Sequence, residues 1–267
     1  MTTYADLYRY RDLFANLFRR DLQAKYKGSA LGVLWTLANP VLLMAIYLVV
    51  FSTLWKASFA KLDHYPLFLL AGLSAWIFFS TALQSATRSM LDNANLIKKT
   101  RFPRQLVPLS IVAAHLVSYA VMLALLLALD FALLPRARAT EWLAIPLAAL
   151  FVCLVGGLAL AAASLNVVFR DVEHLVAALL LPWFFVTPVI YPLSGLPERV
   201  ARHHLIVDAL RYGNVLSPPI QAIRDPLFFG RLPRAVDVIY LVVAAGLALA
   251  LGAFVFTRVD DQLAVEL

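Results

Sequence analysis

Residues 142–169 read WLAIPLAALFVCLVGGLALAAASLNVVF, a stretch without one Asp, Glu, Lys or Arg. A helix that crosses the ~30 Å hydrocarbon core of a bilayer needs about 20 largely apolar residues, at 1.5 Å of rise per residue. Helices of soluble domains carry an apolar stripe on one side and polar residues on the other. This run has no polar side, so it predicts a membrane span. Outward from it lie five more runs free of those four residue types: Gly28 to Trp55, His64 to Thr87, Gln105 to Leu129, His174 to Pro197 and Val238 to Thr257. Their even distribution predicts an all-α integral membrane protein of about six transmembrane helices, with residues 1–267 as a single membrane domain.

Composition agrees. The chain is 62% hydrophobic and 15% charged, with a mean hydropathy of +0.80; a soluble domain carries about 25% charged residues. One soluble core of this size could not bury so much apolar surface, which excludes a soluble catalytic domain. The net charge of +7 would point to nucleic acid in a soluble protein. Here the basic residues sit between apolar runs, where they suit anionic lipid headgroups, so membrane lipid and no nucleic acid is expected. Cys153, the single cysteine, lies inside an apolar run and has no intrachain disulfide partner. The first 27 residues are peppered with charge and do not read as a signal peptide.

Orientation follows the basic residues of the loops. Arg9, Arg11, Arg19, Arg20, Lys25 and Lys27 precede the first run, and Lys56 and Lys61 follow it. Arg88, Lys98, Lys99, Arg101 and Arg104 come next, then Arg136 and Arg138. Rich and poor loops alternate, which predicts a cytoplasmic N-terminus and, with six spans, a cytoplasmic C-terminus. The stretch from Leu193 to Asp237 runs against this pattern: it would lie outside, yet carries Arg199, Arg202, Arg211, Arg224, Arg231 and Arg234. It also holds two short apolar stretches, Leu205–Leu210 and Val215–Ile223, broken at Gly213-Asn214 and Pro218-Pro219. Too short to span, they read either as re-entrant helices or as amphipathic helices on the outer surface. Within residues 1–30, Tyr10, Leu13, Phe14, Leu17, Phe18 and Leu22 recur at helical spacing opposite Arg11, Arg19 and Arg20. That pattern predicts a helix lying in the cytoplasmic interface. The last ten residues, from Arg258, read as a polar tail.

Catalytic patterns are sparse. The sequence has no GxxxxGK[ST] loop, HExxH or GxSxG. Ionisable and amide groups at membrane depth usually mark function; here they are Asp130, His115 and Asn166. Asp130 reads as an interfacial residue near Pro135; His115 reads as a satisfied packing residue, with pairing to a neighbouring helix as the other reading. His203-His204 with Asp208 has the composition of a metal cluster, but a solvated loop explains it as well, and no metal is expected. Tyr47, Phe51 and Trp55 form one helical stripe, and Trp183, Phe184 and Phe185 fall mid-run. Aromatic faces can slide along the C–H faces of sugars, so these six are candidates for a substrate path; packing or lipid contact is the alternative. Pro40 marks a helix start or kink in the first run. Pro182, Pro188 and Pro192 invite bending in the fifth.

Residues 20–35, RDLQAKYKGSALGVLW, followed by Asn39-Pro40, resemble the N-terminal signature of ABC-2-type permeases of the polysaccharide and polyol-phosphate (O-antigen, teichoic acid) export family. LIKKTRFPR at 96–104 is similar to the family's cytoplasmic segment between spans two and three. NVVFRDVEH at 166–174 is similar to its loop between spans four and five. Tyr191-Pro192-Leu193 and Asn214–Pro218 fit its outer re-entrant region. The resemblance runs in order over nearly the whole chain. It implies a homodimer of this subunit with two copies of a separate ATPase that binds ATP and Mg, and no cofactor in this chain. It implies export of a lipid-linked glycan, O-antigen-like, with capsule, teichoic acid or a drug or lipid as the alternative cargo. By the same resemblance Asn95, Leu96, Ile97, Lys98, Lys99, Arg101, Phe102, Pro103 and Arg104 form an ATPase-coupling segment, a basic flank touching only lipid being the other reading. Arg170 and Asp171 form a cytoplasmic gate or phosphate contact, or a local ion pair between two helices. A membrane-embedded lipid-processing enzyme is the reading from a different class.

Overall fold

A computed structural model of the chain describes residues 10–26, 28, 32–54, 62–99, 102–196, 199 and 202–266, and among these no strand occurs. Helix α1 is Arg11–Tyr26. Helix α2, Trp35–Leu48, runs on into a π-helical turn over Val49–Leu54. Then come α3 Tyr65–Asp92, α4 Ala94–Lys99, α5 Leu106–Leu133, α6 Ala144–Val168 and α7 Asp171–Val186. Two short helices follow, α8 His204–Tyr212 and α9 Ser217–Arg224, the latter extended by a π-helical turn over Asp225–Phe229. Helix α10, Ala235–Glu266, closes the chain.

Four of these helices, α3, α5, α6 and α10, are long and apolar enough to cross a membrane. Pro66, Pro108 and Pro146 stand in the first turns of α3, α5 and α6, where backbone N–H groups have no intrahelical partner to lose. Helix α3 is the centre of the bundle, with 78% of its apolar window buried, against 22% for α10 at the periphery. Helices α6 and α10 approach closely because Gly157 faces the Ala248–Leu249 backbone of α10 and Gly252 faces the Gly157 backbone of α6. A Cβ on Gly157 would stand 2.3 Å from the Ala248 carbonyl carbon, and one on Gly252 2.5 Å from the Gly157 oxygen. Without a hydrophobic force between helices in lipid, such close backbone approach carries much of the association.

Several boundaries differ from the sequence reading. In the first run the helix begins at Trp35 and keeps Pro40 inside it, so Pro40 is not its start. Helix α3 extends past Thr87 to Asp92, and the expected polar tail from Arg258 continues α10 to Glu266. The fifth run is not one helix. It stops at Val186, and Thr187 turns to extended backbone (φ −82°, ψ 134°) just before Pro188, which cannot donate to a continuing helix. Pro218-Pro219 do not break a helix; they open α9 from its first turn. The two short helices α8 and α9 part company as well. Helix α8 lies on the surface, with Leu205 86% exposed, whereas every described α9 residue except Gln221 is buried.

One end of the bundle gathers Leu17 of α1, Met90 of α3, Ile97 of α4, Leu106 and Val107 of α5, Val167 of α6 and Phe256 of α10 into a separate core. Helix α1 therefore packs on the bundle. Asp21 accepts from Ser110 Oγ at 2.8 Å, and Lys25 Nζ reaches Ser118 Oγ at 2.6 Å.

Candidate coupling end and aromatic cluster

Helix α4 joins α3 through Asn93 alone. The Asn93 N–H and side-chain amide both donate to Ser89 O, at 3.1 and 2.8 Å, and the Asn93 carbonyl accepts from Leu96 and Ile97. The short helix is thus a rigid extension of α3. Ile97 is buried and turns inward on α1, α5 and α10, while Asn95, Lys98 and Lys99 are exposed. Leu96, Phe102, Pro103 and Arg104 are half-buried; Arg101 lies outside the described residues. The face this segment offers outward is basic, and its apolar side serves its own chain.

Arg170 and Asp171 stand between α6 and α7, both exposed and without an ion pair among the described residues. Asn166 sits in the same junction, fully buried. The neighbouring ion pair is Arg88 Nε to Glu173 Oε1 at 3.2 Å.

The aromatic candidates are brought together from separate runs. Tyr47 of α2 stacks on Phe184 of α7 (ring centroids 5.8 Å apart, planes at 23°) and leans on Phe51 at 6.1 Å. Trp76 and Phe79 of α3 complete the cluster, against Phe184 at 5.3 Å and Trp183 at 5.2 Å. Phe51 and Phe184 are buried, Tyr47 and Trp183 half-buried, and Phe185 is 52% exposed. Trp55 lies outside the described residues.

Just beyond this cluster the broken end of α7 is held by side chains from elsewhere. Arg224 is 1% exposed; its guanidinium donates to Pro188 O at 2.9 Å and Val189 O at 2.8 Å and lies 3.9 Å over the Phe68 ring. The Tyr65 hydroxyl donates to Ile190 O at 2.7 Å. Asn214 accepts from Trp183 Nε1 at 2.9 Å and donates to Thr187 Oγ1 at 2.8 Å. Sequence reading counted Arg224 only as an outer charge; its one local signal was an arginine amid Ile220, Ile223, Leu227 and Phe228. Arg211 pairs with buried Asp237 and Arg231 with buried Asp225, each at 2.7 Å. Burial pushes the Asp225 carboxyl up, and its bond to Arg231 pulls it back. Half of the arginines that disturbed the charge pattern are thereby engaged by partners within the fold, Arg211 and Arg224 buried or nearly so and Arg231 with its side chain still 53% exposed.

The remaining polar candidates are also placed. His115 Nε2 lies 3.2 Å from Ser85 Oγ and its Nδ1 3.4 Å from Lys25 Nζ, so it does pair with a neighbouring helix. Asp130 is buried, 1% exposed, at the end of α5. Among the described residues no group of three His, Cys, Asp or Glu side chains could hold a metal ion.

Helices long and apolar enough to cross a membrane, with a basic helical knob attached to the central one, have the architecture of the membrane part of a transporter. The chain belongs to the ABC-2 type transporter family, which it matches over residues 12–226. It is 35% identical to the O-antigen export system permease protein RfbA of Myxococcus xanthus over 263 residues, covering 97% of this chain and 96% of that one. A Klebsiella pneumoniae protein of the same name is 32% identical over 70% of this chain and 72% of its own. The polysialic acid transport protein KpsM of Escherichia coli is 22% identical over 92% and 93%.

Proposed function

We propose that this chain is the membrane-spanning permease subunit of an ATP-driven exporter that moves a lipid-linked, O-antigen-like polysaccharide across the cytoplasmic (inner) membrane. The observation that carries the reading is the near-full-length similarity to an O-antigen export permease. Two copies work with two ABC ATPase subunits, which bind the ATP and Mg that this sequence has no loop to hold. The exposed apolar faces of α2 and its π-turn (Leu42 61%, Val49 56%) and of α7 (Leu181 67%, Phe185 52%) suit the contact between copies. Six crossings are completed by α2 with its π-turn and by α7 with the irregular stretch after it, and both termini lie in the cytoplasm. Helix α4 then meets the ATPase through Asn95, Lys98 and Lys99, and Arg170 stands at the cytoplasmic entry, where its planar fork suits a lipid phosphate. Tyr47, Trp183 and Phe185 face the glycan, backed by Phe51 and Phe184.

Reconstitution of the chain with its ATPase in proteoliposomes tests this. ATP-dependent movement of a lipid-linked O-antigen is expected, with no activity from the chain alone. Preference for a capsule polymer, the cargo type nearest the weaker similarity to a polysialic acid transport protein, or for teichoic acid or a drug would replace the cargo. Turnover of lipid by the isolated chain would replace transport with catalysis.

A further inference from the structure

Asn166, at the end of α6, uses both halves of its buried amide on other helices. Its Nδ2 donates to Thr87 O of α3 at 3.0 Å, and its Oδ1 accepts from the Glu173 N–H of α7 at 2.9 Å. First-turn N–H groups lack intrahelical acceptors, and Arg170, at the N-cap of α7, supplies no side-chain bond. Asn166 caps α7 from the neighbouring helix instead. The residue after Thr87 is Arg88, whose Nε lies 3.2 Å from the Glu173 carboxylate. A buried amide and an ion pair therefore converge on Glu173 and tie α7 to α3. Five residues beyond Arg88, Asn93 locks α3 to α4 by bonds on both sides. The exposed basic knob, the end of α3 and the start of α7 are one connected body, and the far end of α7 carries Trp183 and Phe184.

We infer that Asn166 and the Arg88–Glu173 pair are positioning residues that pass a displacement of α4 into α7 and so to the aromatic cluster. The inference rests on the reading that α4 docks the ATPase. Without this tie the exposed junction at Phe169–Arg170 would let α7 lag behind α3. A buried amide with both bonds made resists such slippage, because parting it leaves a donor and an acceptor unmet.

The test uses the full complex with its ATPase in proteoliposomes and reads glycan exported per ATP hydrolysed. Asn166→Ala is expected to lower that ratio about three- to tenfold while the ATPase still co-purifies. Arg88→Glu and Glu173→Arg should each lower it, and the double reversal should recover at least half, Asp92 at 4.0 Å from Arg88 keeping recovery short of full. The two side chains are 56% and 24% exposed, so the reversals leave insertion intact and decide the matter even where Asn166→Ala fails to accumulate. A double reversal no better than the single changes overturns the inference, as does a normal ratio in Asn166→Ala. Loss of the ATPase from these variants would place the fault in docking and also overturn it. The docking reading is checked apart: a Lys98→Glu/Lys99→Glu protein that keeps its ATPase sinks that reading, whereas the Asn166→Ala ratio and the reversal pair decide the linkage.

Discussion

At the scale of the residue, the fold turns on carbonyl oxygens set free where α7 breaks. In an apolar surrounding each unmet polar group costs several kcal/mol, so irregular backbone survives at membrane depth only when protein groups satisfy it. Arg224 meets Pro188 and Val189, Tyr65 meets Ile190, and Gly72 provides the clearance. A Cβ at Gly72 would fall 2.0 Å from Arg224 Nη2 and 2.7 Å from Val189 O. Gly72→Ala and Arg224→Gln should each lower the unfolding free energy in detergent by about 1–3 kcal/mol for every buried group left unmet, and the midpoint with it. The double change should add little to either single one, since both sever the same bonds. A thermal series on the four proteins checks this, and fully additive losses would show that the glycine and the arginine act separately. Nothing near Gly72 in the sequence announces this role, because its partner lies on another element.

At the scale of the element, two segments separate packing from function. In α4, Ile97 is a core residue, so Ile97→Ala should lower stability by about 2–5 kcal/mol through the cavity it leaves at a buried site. Lys98→Glu/Lys99→Glu should leave the midpoint alone and weaken co-purification of the ATPase. Equal behaviour of the two variants would mean that the segment has no outward role. The aromatic cluster divides likewise. Phe184→Ala removes a buried ring, a change of about 3–5 kcal/mol, and should reduce protein in the membrane. A Tyr47→Ala/Phe185→Ala pair should slow export at normal protein level with ATP hydrolysis continuing. Normal export by that pair would remove these rings from the path. Sequence periodicity found the Tyr47–Phe51 stripe and the 183–185 triplet separately. It could not show that they meet, nor which rings face inward, since helical spacing defines a face and not its neighbour.

At the scale of the whole molecule, one end collects α1, α4, the junction of α6 and α7, and the close of α10, and the opposite end collects α8 and α9. If the first end is cytoplasmic, an impermeant thiol reagent added outside should label Leu205→Cys and spare Lys98→Cys; the reverse pattern would invert the orientation. The alternation of basic loops suggested this arrangement, and the arginine-rich outer stretch opposed it. Arg211, Arg224 and Arg231 are committed to Asp237, to backbone carbonyls and to Asp225 within the fold. Charges held in this way report the packing of the outer helices more than they report topology.

The sequence by itself determined that this is an all-helical membrane protein, where its long helices lie, and that α1 is amphipathic. Those properties are local: about 20 apolar residues suffice to make a span, and a periodicity of 3.6 suffices to make a face. The family resemblance, too, was carried by short contiguous motifs. Prolines in the fifth run already invited a bend; tertiary structure alone decided how the carbonyls after Thr187 are met, that α9 is buried while α8 is not, and that Asn166 binds two other helices. Each depends on partners far along the chain: Arg224 lies 36 and 35 residues from the carbonyls it meets, and Asn166 79 residues from Thr87. A buried polar group must be satisfied by whatever the fold brings beside it, and no window of sequence contains both members of such a pair.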